Sequence, residues 1–312
     1  MFERVIERIK ANDSIVISGH IRPDGDCFGS QIGLKEIIKT NFPNKKVYVV
    51  GSGLPLYQDF LGKMDQVSDD VIKSSLCFML DCNDLDRIED QRVPNMAKEM
   101  IQIDHHVVYQ DFNFYCVVDD GACSTSELLS RMMVEQNLDI SPTGASALYL
   151  GILSDTARYQ FVRDFVLVFD LAKKLCKMGA NPAEINRLMS MAQEEKLALI
   201  GYVLTHYKKK EPGLIYLHLT SDELEKIHAT PDKGSMIVNS IGNVVGYPIW
   251  ATFLETKEGS CICEFRSNKY SVVDLAISHG GGGHKFASGA TIREFNKEKF
   301  DALLNELCDL IK

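Results

Sequence analysis

Four short segments of this 312-residue chain carry histidines and carboxylates at spacings that suit metal-ion chemistry. The segments are His20-Ile-Arg-Pro-Asp24-Gly-Asp26, Asp81, Asp104-His105-His106 and Asp155. Mixed imidazole and carboxylate ligands suit Mn²⁺ or a similar first-row ion better than the thiolate-rich sets of structural zinc. Several aspartates able to bridge favour two ions over one. The residue types alone therefore predict a metal centre of two divalent ions.

The elements that must position these segments follow from the apolar pattern. Predicted strands at 14–18, 46–50, 75–80 and 100–103 alternate with amphipathic runs, the first of which covers 29–40. This alternation predicts βαβ units, whose parallel strands bring their carboxyl ends to one edge of a sheet. Taken singly, an aspartate after a strand is more often a helix cap, and a lone histidine an ordinary surface or core residue. Because four segments converge, we expect a shared metal site.

The second half of the chain has a different pattern. Predicted helices cover 126–137, 145–155, 165–179 and 182–204, strand patterns return at 213–219, 249–255 and 261–265, and a helix at about 296–311 closes the chain. A chain of this length usually forms two domains. We therefore predict an α/β protein. A mostly parallel sheet flanked by helices fills residues 1–190, and a helical connector leads to a smaller α/β domain within 191–312.

Composition excludes several classes of protein. A net charge of -9 argues against binding long duplex nucleic acid, because affinity for a phosphate backbone depends on clustered Lys and Arg. No run approaches the roughly 20 apolar residues of a membrane span, and the first residues do not resemble a secretory signal. Nine cysteines without paired C-x-x-C motifs fit a reducing compartment. These features predict a cytoplasmic protein that does not contact membranes.

The segments HIRPDGDCFGS, MLDCNDLDRI, IDHHV and GILSDTARYQF resemble, in order, the four motifs of the DHH phosphoesterase superfamily. FRSNKYSVVDLAISHGGGGHKFASGA is similar to a DHHA1 domain, and the length and ending resemble the nanoRNase (oligoribonuclease) and pAp phosphatase branch. The resemblance implies a hydrolase of phosphoester bonds with two divalent ions, Mn²⁺ by expectation. It would cleave short single-stranded oligoribonucleotides to mononucleotides and dephosphorylate 3'-phosphoadenosine 5'-phosphate (pAp) to AMP.

The resemblance also implies roles for individual residues. One ion would be held by His20, Asp24 and Asp81, and the other by Asp26, Asp81, His105 and Asp155. Asp81 would bridge the two ions, Asp104 would fix a ligand imidazole, and His106 would face the substrate phosphate. His106 would serve as a general acid if its pKa lies near neutrality.

Further residues are candidates for binding substrate. The glycine run before His284 predicts a backbone cradle for an anion, with a flexible surface turn as the alternative. By resemblance, the predicted substrate contacts are Arg158, Arg266, Ser267, Gly281, Gly282, Gly283, His284 and Ser288. Arg158 could equally be a solvated helix-end arginine. Arg22 and Cys27 stand where many relatives carry asparagine and a small residue, and Cys27 is expected to serve packing. The cysteines at 261 and 263 are expected to pack on one strand face, and the lysines at 208–210 to be solvated.

Two other functions remain open from the sequence. One is a phosphodiesterase of cyclic di-AMP or its linear product pApA, which motifs do not separate from the oligoribonuclease. The other is a catalytically inactive nucleotide-binding regulator, whose mark would be loss of a ligand. All six predicted metal ligands are present. The sequence also leaves open whether the protein forms a homodimer.

Overall fold

The computed structural model describes residues 1–107, 111–191 and 194–311. It divides into two compact units, Met1–Met191 and Ala192–Lys312. None of the helices within the described ranges combines the length and apolar character needed to span a bilayer.

The first unit is built on a five-stranded sheet in the order β2-β1-β3-β4-β5. The strands are β1 (Ser14–Ser18), β2 (Lys46–Val50), β3 (Leu76–Leu80), β4 (Glu99–Asp104) and β5 (Tyr115–Val118), and all neighbours pair in parallel. This confirms the parallel sheet and its four predicted strands. The fifth strand was not predicted, because a four-residue run that is only partly buried has little periodic signal.

Both faces of this sheet are buried, as in parallel sheets with helices on either side. Ile17, Phe78 and Ile101 lie side by side on three neighbouring strands and belong to one apolar cluster. Residues one position away along the same strands, such as Val16 and Cys77, belong to the cluster on the opposite face. Because successive side chains of a strand point to opposite faces, each strand contributes residues to the apolar clusters on both faces of the sheet.

Helices cover the sheet on both faces. They are α1 (Glu3–Ala11), α2 (Gly25–Asn41), α3 (Pro55–Leu61), α4 (Asp69–Ser74), α5 (Arg92–Met96), α6 (Thr125–Glu135), α7 (Pro142–Asp155), α8 (Phe165–Lys177) and α9 (Pro182–Met189). The helix predicted over 182–204 is instead two helices, since α9 ends at Met189 and α10 begins at Glu194. Residues 192 and 193 of that prediction lie outside the described residues.

A glycine stripe lets α2 and α7 pack closely. Glycines at 25, 29 and 33 recur every four residues on α2, so they lie on one helix face. A Cβ on Gly29 would lie 2.4 Å from the carbonyl oxygen of Ala147 and 3.0 Å from the amide nitrogen of Gly151. A Cβ on Gly25 would lie 2.6 Å from the side chain of Ser154. The start of α2 therefore lies against the end of α7.

The second unit contains a mixed six-stranded sheet in the order β10-β11-β9-β8-β7-β6. The strands are β6 (Lys208–Lys210), β7 (Leu214–Leu219), β8 (Ile249–Glu255), β9 (Cys261–Ser267), β10 (Gly282–His284) and β11 (Ala287–Ile292). The helices are α10 (Glu194–His206), α11 (Ser221–Lys226), α12 (Gly234–Asn239), α13 (Val273–Ser278) and α14 (Lys297–Asp309). Only β7 and β8 pair in parallel in this sheet.

Two local expectations for this unit have clear outcomes. Cys261 and Cys263 are both fully buried in one apolar cluster, which confirms that they pack on one strand face. The lysine run was expected to be solvated, and this is confirmed for Lys208 and Lys209, which are exposed. The structure adds that Lys208–Lys210 forms an edge strand paired with β7, which was not predicted. Lysines on an edge strand discourage pairing with other chains, which explains why a charged run occurs in a strand.

Candidate active site

Six side chains that the sequence predicts as metal ligands come together at the carboxyl edge of the parallel sheet. They are supplied by the loop after β1 (His20), the start of α2 (Asp24, Asp26), the end of β3 (Asp81), the end of β4 (His105) and the end of α7 (Asp155). Among the described residues, three groups of donor atoms could each hold an ion: His20, Cys27 and Asp81; Asp81, His105 and His106; and Asp26, His105 and Asp155. The topology of the sheet and the α2–α7 contact thus produce the cluster.

Asp81 lies between two histidines. Its Oδ2 is 3.5 Å from Nε2 of His20, and its Oδ1 is 3.5 Å from Nε2 of His105. The hydroxyl of Thr125 donates a hydrogen bond to Oδ1 at 3.1 Å. The residue is 2% exposed, and its φ of 54° is in the left-handed region that non-glycine residues rarely adopt. Backbone strain of this kind is often found at functional sites.

Asp26 is held by the first turn of α6. Its Oδ2 accepts a hydrogen bond from the amide of Thr125 at 2.6 Å, and its Oδ1 accepts one from the amide of Ser126 at 2.9 Å. A helix N-terminus favours a negative charge, and here it fixes a carboxylate that is completely buried. Nε2 of His105 lies 3.2 Å from Oδ2 of Asp155 but is not aligned for a hydrogen bond. This buried nitrogen is therefore without a hydrogen-bond partner among the described residues and suits a metal ion.

Asp24 has two separate contacts. Its Oδ1 caps α2 by accepting hydrogen bonds from the amides of Asp26 and Cys27, both at 3.0 Å. Its Oδ2 lies 4.0 Å from Nε2 of His20. Nδ1 of His20 is 2.8 Å from the carbonyl oxygen of Ile21, which can only accept, so Nδ1 carries the proton. Nε2 of His20 is then the nitrogen free to bind a cation.

The pKa values of the clustered carboxylates and histidines are shifted in directions that favour binding of cations. Burial, reinforced by the charges of neighbouring carboxylates, raises the pKa of Asp26 well above its ordinary value. Burial likewise raises the pKa of Asp155 to about 6. Burial alone would lower the pKa of the histidines, but carboxylate contacts outweigh it and raise the pKa of His20 to about 9 and that of His105 to about 10. Burial also acts on Asp81, yet its histidine neighbours hold the pKa below the ordinary value. Divalent ions would neutralise these carboxylates directly, so the donor set fits them.

Asp104 and His106 form a pair beside the cluster. Oδ1 of Asp104 lies 2.7 Å from Nδ1 of His106 and also accepts a hydrogen bond from its amide at 3.2 Å. The side-chain amide of Gln102 donates a hydrogen bond to Oδ2 at 3.2 Å. The bond to Asp104 raises the pKa of His106. The sequence expectation paired Asp104 with a metal-ligand imidazole. The structure pairs it with His106 because residues two apart after a strand project to the same side.

Arg158 follows Asp155 in an unusual turn. Ala157, Arg158 and Tyr159 have φ values of 46°, 59° and 65°, so three successive residues are left-handed. Buried Thr156 stabilises this turn, because its hydroxyl accepts a hydrogen bond from the amide of Tyr159 at 2.9 Å. The guanidinium of Arg158 donates to the hydroxyl of Ser190 at 2.9 Å. Its contact with a substrate phosphate stays a prediction.

The glycine run of the second unit forms a strand of a hairpin. Gly282, Gly283 and His284 make up β10, which pairs with β11. Gly283 has a φ of 134°, and a Cβ there would lie 2.6 Å from the carbonyl oxygen of Ala287. A Cβ on Gly281 would lie 2.1 Å from a backbone oxygen of β11. The glycines thus permit close approach of two backbones, while His284 is exposed beside them.

The other predicted contacts of this unit are tied into local structure. Nη1 of Arg266 lies 2.9 Å from a carboxylate oxygen of Glu264 and donates to the carbonyl oxygen of Ser288 at 3.3 Å. The hydroxyl of Ser288 donates to the carbonyl oxygen of Val272 at 2.8 Å, and that of Ser267 accepts from two amides of the following turn. Both serines are buried. A groove of about 480 Å³ runs past Arg266 and Ser288.

Comparison with known proteins identifies the family. The N-terminal domain of the DHH family matches residues 14–152, and the DHHA1 domain matches residues 213–312. A Streptococcus mutans protein named probable bifunctional oligoribonuclease and PAP phosphatase NrnA is 33% identical over 311 residues, covering 100% of this chain and 99% of its own. The chain belongs to the DHH family. A Bacillus subtilis protein named bifunctional oligoribonuclease and PAP phosphatase NrnA is 30% identical, covering 100% of this chain and 99% of its own.

A solved structure has the same fold. The exopolyphosphatase-related protein from Bacteroides fragilis superposes with a TM-score of 0.84 at 25% identity, covering 99% of this chain and 95% of that one. Both domains of this DHH family member therefore have a counterpart in a known structure of similar length.

The sequence did not predict the residues that hold the carboxylates of Asp26, Asp81 and Asp104 in place. The amides of Thr125 and Ser126 and the hydroxyl of Thr125 contact Asp26 and Asp81, and Gln102 supports Asp104. A signal was present in the run Ser-Thr-Ser-Glu at 124–127, which is typical of a helix start. The apolar pattern predicted the helix over 126–137; the run at 124–127 marks where the helix starts, but not that its first turn receives a carboxylate from α2.

Proposed function

We propose that this chain is a metal-dependent phosphoesterase that hydrolyses short oligoribonucleotides to mononucleotides and dephosphorylates pAp to AMP. One observation carries the proposal. The buried carboxylate of Asp81 presents one oxygen to His20 and the other to His105, each at 3.5 Å. A carboxylate between two imidazoles could be shared by two divalent cations, and phosphatases and nucleases use such pairs of ions.

The proposed ligands divide into two sets that share Asp81. One ion is assigned to His20, Asp24 and Asp81, and the other to Asp26, Asp81, His105 and Asp155. Carboxylate oxygens and imidazole nitrogens suit Mn²⁺, which we propose as the working ion. When bound, the two ions would polarise the phosphoester and make a water molecule acidic enough to be a nucleophile near neutral pH.

The chain's own residues would orient the reacting groups. The amides of Thr125 and Ser126 keep Asp26 in one orientation, with a carboxylate oxygen within 4.8 Å of donor atoms of His105 and Asp155. Asp104 holds Nδ1 of His106, so that Nε2 is left to donate a hydrogen bond to a phosphate or leaving oxygen. The raised pKa of His106 favours the protonated form that such a donor requires. His106 is thus proposed as the general acid.

Several observations support a short substrate. The two full-length relatives described above both have oligoribonuclease and PAP phosphatase in their names. A net charge of -9 disfavours a long duplex, which would need an extended basic track. We assign Arg158, Arg266 and exposed His284 to substrate phosphates. Within the DHHA1 domain, the backbone of the glycine run and the serines at 267 and 288 would shape the surface around Arg266 and His284.

Substrate size can be tested directly. Purified protein with Mn²⁺ is assayed on a labelled dinucleotide, on pAp and on a 24-mer oligoribonucleotide. We expect turnover of the dinucleotide and of pAp to exceed that of the 24-mer. Equal or faster turnover of the 24-mer would contradict the proposed substrate class.

The role of the cluster needs a matched pair of variants. Asp81→Ala removes the proposed bridge, and we expect loss of Mn²⁺-dependent hydrolysis of both good substrates. Asp86→Ala removes an exposed carboxylate from the same loop region and should leave hydrolysis unchanged. Full activity of Asp81→Ala would sink the catalytic assignment.

Two other functions are separable by experiment. A phosphodiesterase of cyclic di-AMP or pApA would release identifiable products, which mass spectrometry of each reaction would detect. An inactive nucleotide-binding regulator would bind pAp without any phosphate release. The complete ligand cluster favours an enzyme over that regulator. We also propose a reducing cytoplasm as the compartment, because all nine cysteines are free thiols.

A further inference from the structure

A thiol lies beside the carboxylates and histidines of the proposed metal centre. Cys27 is in the first turn of α2, directly after Asp26, and its side chain is completely buried. A ring nitrogen of His20, a carboxylate oxygen of Asp81 and Sγ of Cys27 all lie within 4.8 Å of one another. The thiol is therefore next to the two ligands that define one side of the centre.

The separation of these donors suits a single ion. Zinc binds sulfur at about 2.3 Å and nitrogen or oxygen at about 2.0–2.2 Å, so two ligand atoms of a tetrahedral set are about 3.3–3.7 Å apart. The three donors lie within 4.8 Å of one another, so movements of up to about 1 Å would bring them to these separations. Oδ2 of Asp24 lies 4.0 Å from Nε2 of His20 and can supply a fourth donor. Four donors of this kind match the tetrahedral nitrogen, oxygen and sulfur sets that zinc prefers.

The sulfur is positioned by packing and has only weak polar contacts. The acceptors within its reach are the carbonyl oxygen of His20 at 4.0 Å and Oε1 of Gln31 at 3.9 Å, both long for a thiol, which is a weak donor. A Cβ on Gly19 would lie 2.3 Å from the sulfur, so the sulfur occupies the space that this glycine leaves free. Binding a cation would therefore displace no strong hydrogen bond.

We propose that Cys27 is an additional ligand for thiophilic divalent ions on the His20 side of the metal centre, so that Zn²⁺ or Cd²⁺ binds there through a metal–sulfur bond. Mn²⁺, a harder ion, would use the carboxylates and imidazoles alone. On binding a thiophilic ion, the S–H bond breaks, the proton passes to solvent, and the sulfur lone pair forms the bond to the ion. This inference rests on the proposed metal centre. Its consequence is that thiophilic ions compete with Mn²⁺ for the site.

Absorption spectroscopy with Co²⁺ tests the inference without relying on activity. The metal-free, full-length protein is titrated with Co²⁺, whose visible d–d bands report binding and whose near-ultraviolet charge-transfer band reports a bond to sulfur. We expect both bands in the wild-type protein. Cys27→Ala and Cys27→Ser should keep the visible bands and lose the charge-transfer band.

Affinities give a second readout. Competition titrations should show Cd²⁺ binding weakened by about 10-fold or more in Cys27→Ser, with a much smaller change for Mn²⁺. Cys77→Ala is the matched control, because Cys77 is also completely buried but lies inside β3. It should keep the charge-transfer band. Circular dichroism of each variant checks that it folds.

The outcomes separate this inference from the proposed function. Visible bands without a charge-transfer band in the wild-type protein would overturn the role of Cys27 and leave the two-metal proposal standing. A charge-transfer band that persists in folded Cys27→Ala and Cys27→Ser would also overturn it. If the wild-type protein shows no Co²⁺ binding at all, both proposals fail. The wild-type spectrum decides the question even if neither Cys27 variant folds.

Discussion

Replacing Gly29 by alanine should separate the two helices that supply Asp26 and Asp155. A Cβ at this position would lie 2.4 Å from the carbonyl oxygen of Ala147 and 3.0 Å from the amide nitrogen of Gly151. Both are backbone atoms inside α7, so no side chain can rotate away. Restoring ordinary contact at 3.4 Å requires the helices to move apart by about 1 Å.

The effect of Gly29→Ala on stability depends on whether overpacking costs more than the higher helix propensity of alanine gains. Alanine in place of glycine within a helix stabilises by about 0.5–1 kcal/mol. Overpacking a well-packed contact costs about 1–3 kcal/mol, and the contact at Gly29 is with backbone atoms, which can move only if the whole helix moves. We therefore expect Gly29→Ala to lower the free energy of unfolding by about 1–2 kcal/mol. A displacement of about 1 Å between catalytic groups also lowers turnover by about 100-fold.

Gly201 provides the matched control. It lies within α10, and a Cβ there would meet no atom within 4 Å. Gly201→Ala should therefore stabilise the protein by about 0.5–1 kcal/mol and leave turnover unchanged. Urea unfolding and Mn²⁺-dependent hydrolysis of a dinucleotide measure both quantities. A Gly29→Ala protein as stable and as active as Gly201→Ala would refute the close-packing argument.

Three further predictions concern the carboxylate cluster. Thr125→Val removes the hydroxyl bonded to Asp81 and should weaken Mn²⁺ binding by about 10–100-fold in calorimetric titrations, with an unchanged fold by circular dichroism. Asp104→Asn should lower the pKa of His106, because the hydrogen bond to the Asp104 carboxylate raises that pKa. NMR titration of the metal-free protein measures the shift. An unchanged pKa of His106 would contradict the prediction. The metal-free protein should lose stability as pH rises from about 6.5 to 10. His20 and His105 have higher pKa values in the folded protein than in the unfolded chain. Their contribution to stability is therefore complete at pH values below the pKa of the unfolded chain and is lost as the pH rises through the pKa of the folded protein. Thermal unfolding from pH 6 to 10 tests this, and added Mn²⁺ should stabilise the protein more at high pH than at low pH.

The sequence predicted which side chains come together in the carboxylate and histidine cluster, but it did not predict which of them contact one another. His20, Asp81 and His105 were expected together because the ends of parallel strands share one edge, a rule that needs no knowledge of side-chain geometry. The pairing of Asp104 with His106 depends on how the chain leaves β4, and strand periodicity ends at that point. The left-handed backbone of Asp81 was likewise not predictable, since aspartate adopts this conformation only when its surroundings require it.

Parts of the fold escaped prediction for related reasons. The strands β5, β6 and β10 contain only three or four residues, which is too short for alternation to emerge. Lys208–Lys210 and the glycines of β10 also have low strand propensity, so only pairing with a neighbour makes them strands. The helix predicted over 182–204 was wrong because apolar periodicity continues on both sides of the break after Met189.

The glycine stripe and the acidic cluster are two parts of one physical arrangement. Buried carboxylates repel one another, which is why burial and mutual charge raise the pKa of Asp26 and Asp155. Without cations this repulsion would tend to push the end of α7 away from the start of α2. The amides of α6 hold Asp26, and the close contact at Gly29 leaves little freedom for the helices to separate. These contacts therefore hold the carboxylates together against their mutual repulsion, so that metal binding need not also reorganise the backbone. A looser α2–α7 contact should accordingly weaken metal binding even when every ligand is intact.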